Sequence, residues 1–166
     1  MLSFKDLTIH FGTSLNDKAF QQFLAANFTD LSAYDIFYGY IASDLSAIEF
    51  GFKNDTAVYD DDTEEVFEKG DPVFSHFNLY PNSAGVITQL PLDIAFTDTR
   101  SEILKKTAAP LLTKKGFNEM LDINYINDSY KIGDIAITVE YNPSTERITL
   151  IQIRDNNAAA SHLKLL

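Results

Sequence analysis

Carboxylates are concentrated in one stretch of the chain. Eight of the 24 acidic residues fall within positions 55–71, against a single base there, Lys69. The stretch lies between two predicted strands, where an inserted loop often carries function. Such a loop could steer a basic partner protein electrostatically, or it could simply keep an aromatic-rich protein soluble. The candidate binding residues in it are Asp60, Asp61, Asp62, Glu64 and Glu65.

The spacing of three of these acids also suggests calcium. Asp60, Asp62 and Glu64 alternate as the first ligands of an EF-hand loop do. That loop needs a glycine at its sixth position for a sharp turn, and a glutamate at its end to bind the ion through both oxygens. Glu65 occupies the glycine position, and no glutamate closes the loop. The sequence therefore predicts no metal site.

Aromatic residues form a second candidate surface. Residues 35–41 have the composition of a strand, and alternation would place Tyr34, Tyr38 and Tyr40 on one face of it. Tyrosine is enriched in interface cores because it supplies rigid contact area together with a hydroxyl group. If that face is open, it is a binding patch. If the strand is central in the sheet, the same side chains belong to the core.

Catalytic and cofactor motifs are absent from the sequence. His10, His76 and His162 are dispersed, and neither HExxH, GxSxG, a P-loop nor GxGxxG occurs. His10 and His76 fall on predicted strands opposite the apolar face, as surface histidines do. Because the chain has no cysteine, a thiol nucleophile, a thiolate metal site and a disulfide are all excluded. We expect no catalytic residue and no cofactor.

Composition narrows the class of partner. The chain has 166 residues, of which 45% are hydrophobic, enough for one folded unit with its own core. Its net charge of -11 repels phosphate backbones, so nucleic acid is not an expected partner. It has no apolar run long enough for a membrane span and no leader-like start. With no cysteine, these features predict a cytoplasmic protein.

An apparent internal repeat indicates how these residues are positioned. Leu7 and Leu92 begin two similar patterns 85 residues apart, each predicting a short strand and then a helix that starts with a capping box. The first pattern consists of Leu7, Ile9, Phe11, Ser14 and Asp17, and the second of Leu92, Ile94, Phe96, Thr99 and Glu102. The repeat predicts one compact unit built of two modules, about 4–88 and 89–154. A tail or short helix follows over 155–166.

Period-two alternation predicts the remaining strands. They cover residues 35–41, 48–52, 73–80, 121–126, 135–141 and 148–153. The second helix is expected over 99–108, because the ring of Pro110 cannot continue the helical hydrogen bonds. Residues 111–117 show neither the period of a helix nor that of a strand, and we expect a looser region there.

The segment from about residue 90 to residue 154 carries a family resemblance. It reads Leu-Pro-Leu, an apolar strand, a Thr-Arg-x-Glu-Ile helix, a proline and then antiparallel strands. This order resembles the tandem helix-plus-sheet modules of the β-lactamase inhibitor protein fold. It is also similar to the single modules of the outer-membrane assembly lipoprotein BamE and to small bacterial immunity-like proteins. Because these families are binding proteins, the resemblance implies binding through a sheet face or loops, without catalysis.

Together these features predict an α+β fold. We expect a continuous antiparallel sheet of roughly six to eight strands, with the helices packed on one face and the other face partly free. The expected function is an intracellular, non-catalytic interaction module, inhibitor-like or immunity-like, that binds a basic protein. The alternatives are a small-ligand binder or enzyme with a pocket between the modules, and a self-associating structural subunit such as a homodimer.

Overall fold

The computed structural model describes residues 1–55, 70–120, 122–159 and 164–166. Within these residues the protein has three α-helices, a seven-stranded antiparallel sheet and a separate parallel pair of short strands. This confirms the predicted α+β class and the size of the sheet.

The elements have the following bounds. The helices are α1 (Phe4–Thr8), α2 (Lys18–Asn27) and α3 (Arg100–Lys106). The strands are β1 (Leu2–Ser3), β2 (Tyr40–Ser43), β3 (Ile48–Asn54), β4 (Pro72–Leu79), β5 (Ile87–Gln89), β6 (Leu112–Asn118), β7 (Ile123–Ile132), β8 (Ile135–Tyr141) and β9 (Ile148–Asp155). Short 3₁₀ turns cover Pro81–Gly85, Pro91–Asp93 and Asn156–Ala158.

Two meanders meet at the middle of the large sheet. The strand order is β2-β3-β4-β9-β8-β7-β6, so β4 and β9, the last strand of each meander, pair with each other. In the chain, α2 precedes the first meander and α3 precedes the second. The Leu15 amide donates to the Pro72 carbonyl (2.8 Å), and the Arg100 amide donates to the Glu146 carbonyl (2.9 Å). The first bond joins the segment just before α2 to the start of β4, and the second joins the start of α3 to the segment just before β9. That the halves are related modules stays a prediction.

The hydrophobic core lies between the helices and one face of the sheet. Phe20 of α2 packs against Phe74 of β4 with ring centroids 5.3 Å apart, and Phe28 packs against Phe50 at 4.9 Å. Ile103 of α3 is fully buried in the same core. Because successive strand residues point to opposite faces, the alternating apolar residues of β3, β4, β8 and β9 supply this layer.

The opposite face of the sheet, here called the outer sheet face, is polar. Gly51 of β3 lies opposite His76 of β4, which in turn lies opposite Arg154 of β9. In the adjacent row, Glu49 lies opposite Asn78. The side chains of this face are mostly half-buried, as antiparallel sheets allow when helices cover the other side.

One of the two predicted capping boxes is present. The Thr99 amide donates to Glu102 Oε2 (2.7 Å) and the Glu102 amide donates to Thr99 Oγ1 (3.3 Å), which starts α3 as predicted. The box predicted at Ser14 is wrong. Ser14 Oγ accepts from the Asn16 amide in a local turn, and α2 begins only after Asp17, whose carboxylate accepts from the Phe20 amide (2.8 Å).

The strand predicted to open each module is wrong in both places. Leu7 lies in α1, where Phe4 and Leu7, one turn apart, bury the same side of the helix. His10 therefore lies in a turn, not on a strand, and contacts the Phe23 ring at 4.4 Å. In the second half, Leu92 has a φ of 61° inside a 3₁₀ turn, a left-handed conformation that an extended strand cannot contain.

Two further segments differ from the predictions. Residues 35–39 form a turn, and β2 begins only at Tyr40, because the Asp35 side chain holds the turn. Residues 111–117, expected to be loose, largely form β6, an edge strand paired with β7. Because β6 is mostly exposed, neither of its faces requires apolar residues, and its sequence shows no alternation.

The strands with the longest alternation match their predictions. β8 has the predicted bounds, β3 and β9 each run two residues further than predicted, and β4 begins and ends one residue earlier. β7 starts two residues later than predicted and runs to Ile132.

Candidate functional site

A pocket of about 360 Å³ opens on the outer sheet face over β2, β3 and β4. This volume is within the range of small-ligand sites. Its lining combines aromatic, acidic and amide side chains with one imidazole. The residues of this tyrosine pocket are Tyr38, Tyr40, Glu49, Gly51, His76 and Asn78.

One wall of the pocket comes from residues 35–40, here called the aromatic loop. Asp35 Oδ1 accepts hydrogen bonds from the amides of Phe37 (2.9 Å) and Tyr38 (3.1 Å). Gly39, with a φ of 66°, completes the turn and donates its amide to the Asp35 carbonyl (2.8 Å). The loop is therefore ordered by the side chain and carbonyl of Asp35, although it presents Phe37 and Tyr38 with 73% of each residue exposed.

Glu49 and its two donors form the polar side of the pocket. Glu49 Oε2 accepts from Asn78 Nδ2 (3.0 Å) and from the Tyr80 hydroxyl (2.9 Å). Asn78 is itself held by Gln152 Nε2, which donates to its Oδ1 (3.2 Å). Burial and the neighbouring Glu49 raise the pKa of Tyr80, so this hydroxyl keeps its proton and remains a donor. The chain of bonds holds Glu49 in one orientation.

His76 lies across the backbone of Gly51. A Cβ atom added to Gly51 would lie only 1.8 Å from His76 Cε1, so any other residue at position 51 would displace the ring. His76 Nδ1 is 3.1 Å from the Ser75 hydroxyl, which donates to the Gly51 carbonyl (3.3 Å). Glycine at this position thus allows the imidazole to form the floor of the pocket.

The imidazole of His76 is neutral at physiological pH. Burial, reinforced by the positive charge of Arg154, lowers the pKa of His76 to about 3. Among the described residues, the pocket lining therefore contains one acidic side chain, Glu49, and no cationic side chain.

This pKa predicts a specific loss of stability in mild acid. Between pH 6.5 and 3 the unfolded chain protonates His76 and the folded chain does not, so the free energy of unfolding falls as the pH decreases. For one proton the slope is at most about 1.4 kcal/mol per pH unit. We expect His76→Gln to lose less stability than the wild type between pH 7 and pH 5 in urea unfolding. The carboxylates titrate in both proteins, so an identical pH dependence would show that His76 is not buried as a neutral ring.

The structure brings together two of the three predicted tyrosines. The rings of Tyr38 and Tyr40 are 6.4 Å apart on the outer sheet face. The prediction that Tyr34 shares their face is wrong, because the turn at Asp35 reverses the alternation. Tyr34 instead packs edge-on against Phe52 in the core layer, with the ring centroids 5.7 Å apart. The predicted acidic residues Asp60, Asp61, Asp62, Glu64 and Glu65 lie outside the described residues.

The remaining pocket residues are not identified as a set by the sequence. The sequence places His76 on a strand opposite the apolar face, and the structure agrees. Glu49 and Asn78 show no local signal, since their contact depends on how β3 and β4 align. The clearest missed signal is Gly51, a glycine in the middle of a strand, which often marks a close approach by another group.

A second pocket, of about 310 Å³, is lined by residues from both halves of the chain. Lys53 and Asp55 line it from the first half, and Asp155 at the end of β9 from the second. Burial lowers the pKa of Lys53, and the charges of Asp155 and Asp55 oppose this shift. The alternative expected from the sequence, a pocket between the modules, would also have a lining drawn from both halves of the chain.

Metal-ligating side chains do not gather in groups of three or more anywhere among the residues whose positions are described. In the same parts of the chain, no helix is long and apolar enough to cross a membrane. The resemblance to the β-lactamase inhibitor protein fold stays a prediction, because comparison with protein-family models, curated proteins and solved structures found no match to this chain.

Proposed function

We propose that this protein is a non-catalytic interaction module that binds a partner protein through its outer sheet face, with the aromatic loop at the centre of the interface. The observation that carries the proposal is the exposure of Phe37 and Tyr38 on a loop that Asp35 holds in one shape. Large aromatic side chains dominate binding energy at interfaces. A loop that is already ordered loses little conformational entropy when it binds.

The net charge of -11 supports a basic partner. Within the proposed face, Glu49 supplies a fixed carboxylate beside the tyrosines. Asp60, Asp61, Asp62, Glu64 and Glu65 belong to the same proposal on sequence grounds, as a source of electrostatic steering. An inhibitor-like or immunity-like role would be one form of such binding.

The proposal predicts that the double variant Phe37→Ser, Tyr38→Ser loses its partner without losing its fold. Both side chains are mostly exposed, so their removal changes stability little. If they are central contacts, affinity falls roughly tenfold or more. The measurement is affinity capture from extract of the source cells with quantitative mass spectrometry, followed by titration of the captured protein.

Phe117→Ser is the matched control. Phe117 is an aromatic residue on β6, at the opposite edge of the sheet, and 51% of it is exposed. The proposal requires a basic protein that the control retains and the double variant loses. If the double variant retains every protein that the wild type captures, the aromatic loop is not an interface. Capture of only the same chain would instead favour self-association.

A further inference from the structure

The tyrosine pocket has the features of a site for a positively charged side chain. Its aromatic wall consists of Tyr38 and Tyr40, whose rings are 6.4 Å apart and tilted by 51°. A cation within about 6 Å of an aromatic ring centroid is attracted to the ring face. Both rings border the same pocket as a carboxylate, so the two attractions act on one occupant.

The two oxygens of the Glu49 carboxylate differ in their hydrogen bonds. Asn78 and Tyr80 both donate to Oε2, and no residue in the described parts of the chain donates to Oε1. Because the two donors fix the side chain, an incoming donor meets a carboxylate that is already oriented. Preorganisation of this kind lowers the cost of binding.

The positive charge of Arg154 reaches the floor of the pocket at His76, but its backbone is distant from the tyrosines. His76, which forms the floor, carries no charge at neutral pH. One row across the sheet consists of Tyr40 on β2, Gly51 on β3, His76 on β4 and Arg154 on β9. Arg154 is therefore separated from Tyr40 by three strand spacings. At a spacing of about 4.8 Å per strand, their backbones are roughly 14 Å apart. The two tyrosines thus line the side of the pocket that is remote from Arg154.

We propose that the tyrosine pocket binds the guanidinium group of an arginine from the partner protein, stacked on Tyr38 or Tyr40 and bonded to Glu49. Arginine is preferred over lysine because its planar guanidinium both stacks on an aromatic ring and presents several donors to a carboxylate. This inference rests on the proposed function, since it names the group that a basic partner inserts beside the aromatic loop.

The test uses N-acetyl-arginine methylamide as the probe, titrated into the full chain and followed by amide chemical shifts in NMR. We expect shifts centred on the pocket backbone around Tyr38, Glu49 and Gly51. The neutral isostere N-acetyl-citrulline methylamide should bind roughly tenfold more weakly, because it lacks the charge-assisted hydrogen bond to Glu49. Glu49→Gln should lower the affinity for the arginine probe by a similar factor.

Glu140→Gln is the control for net charge. Glu140 is a half-buried carboxylate of the outer sheet face that accepts a hydrogen bond from Thr149 (2.9 Å), and it is not part of the pocket. The proposal requires unchanged probe affinity in this variant. Equal binding of arginine and citrulline probes, equal loss in both glutamine variants, or shifts centred away from the pocket would each overturn it.

The probe experiment and the capture experiment can fail independently. If the probe does not bind but the capture of a partner still depends on Phe37 and Tyr38, the arginine pocket is wrong and the interaction module stands. If the probe binds at the pocket but no captured protein depends on the aromatic loop, the proposed function is wrong. The pocket is then a site for small cationic ligands, and the arginine of a partner is not its occupant.

Discussion

Replacing Arg100 with methionine is expected to lower the free energy of unfolding by about 3–5 kcal/mol, the usual cost of leaving a buried charge without its partner. Arg100 Nε donates to Asp128 Oδ2 (2.7 Å) and its Nη2 donates to Asp128 Oδ1 (3.1 Å). The Asp128 side chain is fully buried, whereas 21% of the Arg100 side chain is exposed. The pair joins the first residue of α3 to β7, and the hydrogen bond to Asp128 raises the pKa of Arg100.

The loss in Arg100→Met comes from the buried Asp128 carboxylate, which loses its positive partner and keeps the hydrogen bond from the Thr113 hydroxyl (2.6 Å). The double variant Arg100→Met, Asp128→Leu removes both charges and should recover most of the stability. Lys106→Met is the matched control, because it breaks an ion pair, Lys106–Asp98, in which the Lys106 side chain is 45% exposed. This substitution should lower the free energy of unfolding by no more than about 1 kcal/mol. Urea unfolding of the three proteins measures the effect. A double variant as unstable as Arg100→Met would contradict this assignment.

Phe74→Ala is expected to be as destabilising, by about 3–5 kcal/mol, because it opens a cavity at the centre of the aromatic core. Phe74 is fully buried, and its ring lies 5.2 Å from that of Phe11 and 5.3 Å from that of Phe20. It also contacts the rings of its sheet neighbours Phe50, Phe52 and Phe77. Rings from several elements therefore lose a contact together.

The control for Phe74→Ala is Phe37→Ala, which removes the same ring from the exposed aromatic loop. We expect it to change the free energy of unfolding by no more than about 0.5 kcal/mol. Thermal or urea unfolding of both variants distinguishes a phenylalanine that stabilises the core from one that is exposed on the aromatic loop. Similar losses in the two variants would mean that Phe37 is packed, and its proposed role at an interface would then fail.

The sequence predicts strands well where alternation is long and turns flank it. β8 alternates over its full length and ends at the turn that begins with Asn142, and its bounds are as predicted. Short patterns are less informative. Three alternating apolar residues from Leu7 fit a strand, but Phe4 and Leu7 fit a helix equally well, and the local capping box at Ser3 and Asp6 decides between them.

The candidate site depends on contacts that are remote in sequence. Tyr38 and Tyr40 lie on one face as alternation predicts, although Tyr38 belongs to the turn before β2 and not to a strand. The contact of Glu49 with Asn78 depends on the register of β3 against β4, and a shift of one residue would reverse which face each side chain occupies. Tyr34 leaves the predicted face for a local reason, the side-chain turn of Asp35, which interrupts the strand.

The most direct test of the proposed interface is photo-crosslinking in the source cells from a benzoylphenylalanine residue placed at Tyr38, with the same residue placed at Phe117 as the control. Both positions are exposed, and they lie at opposite edges of the sheet. We predict a discrete adduct with one basic protein from position 38 and none with that protein from position 117. Adducts with the same proteins from both positions, or none from position 38, would contradict the assignment of the outer sheet face as a binding surface.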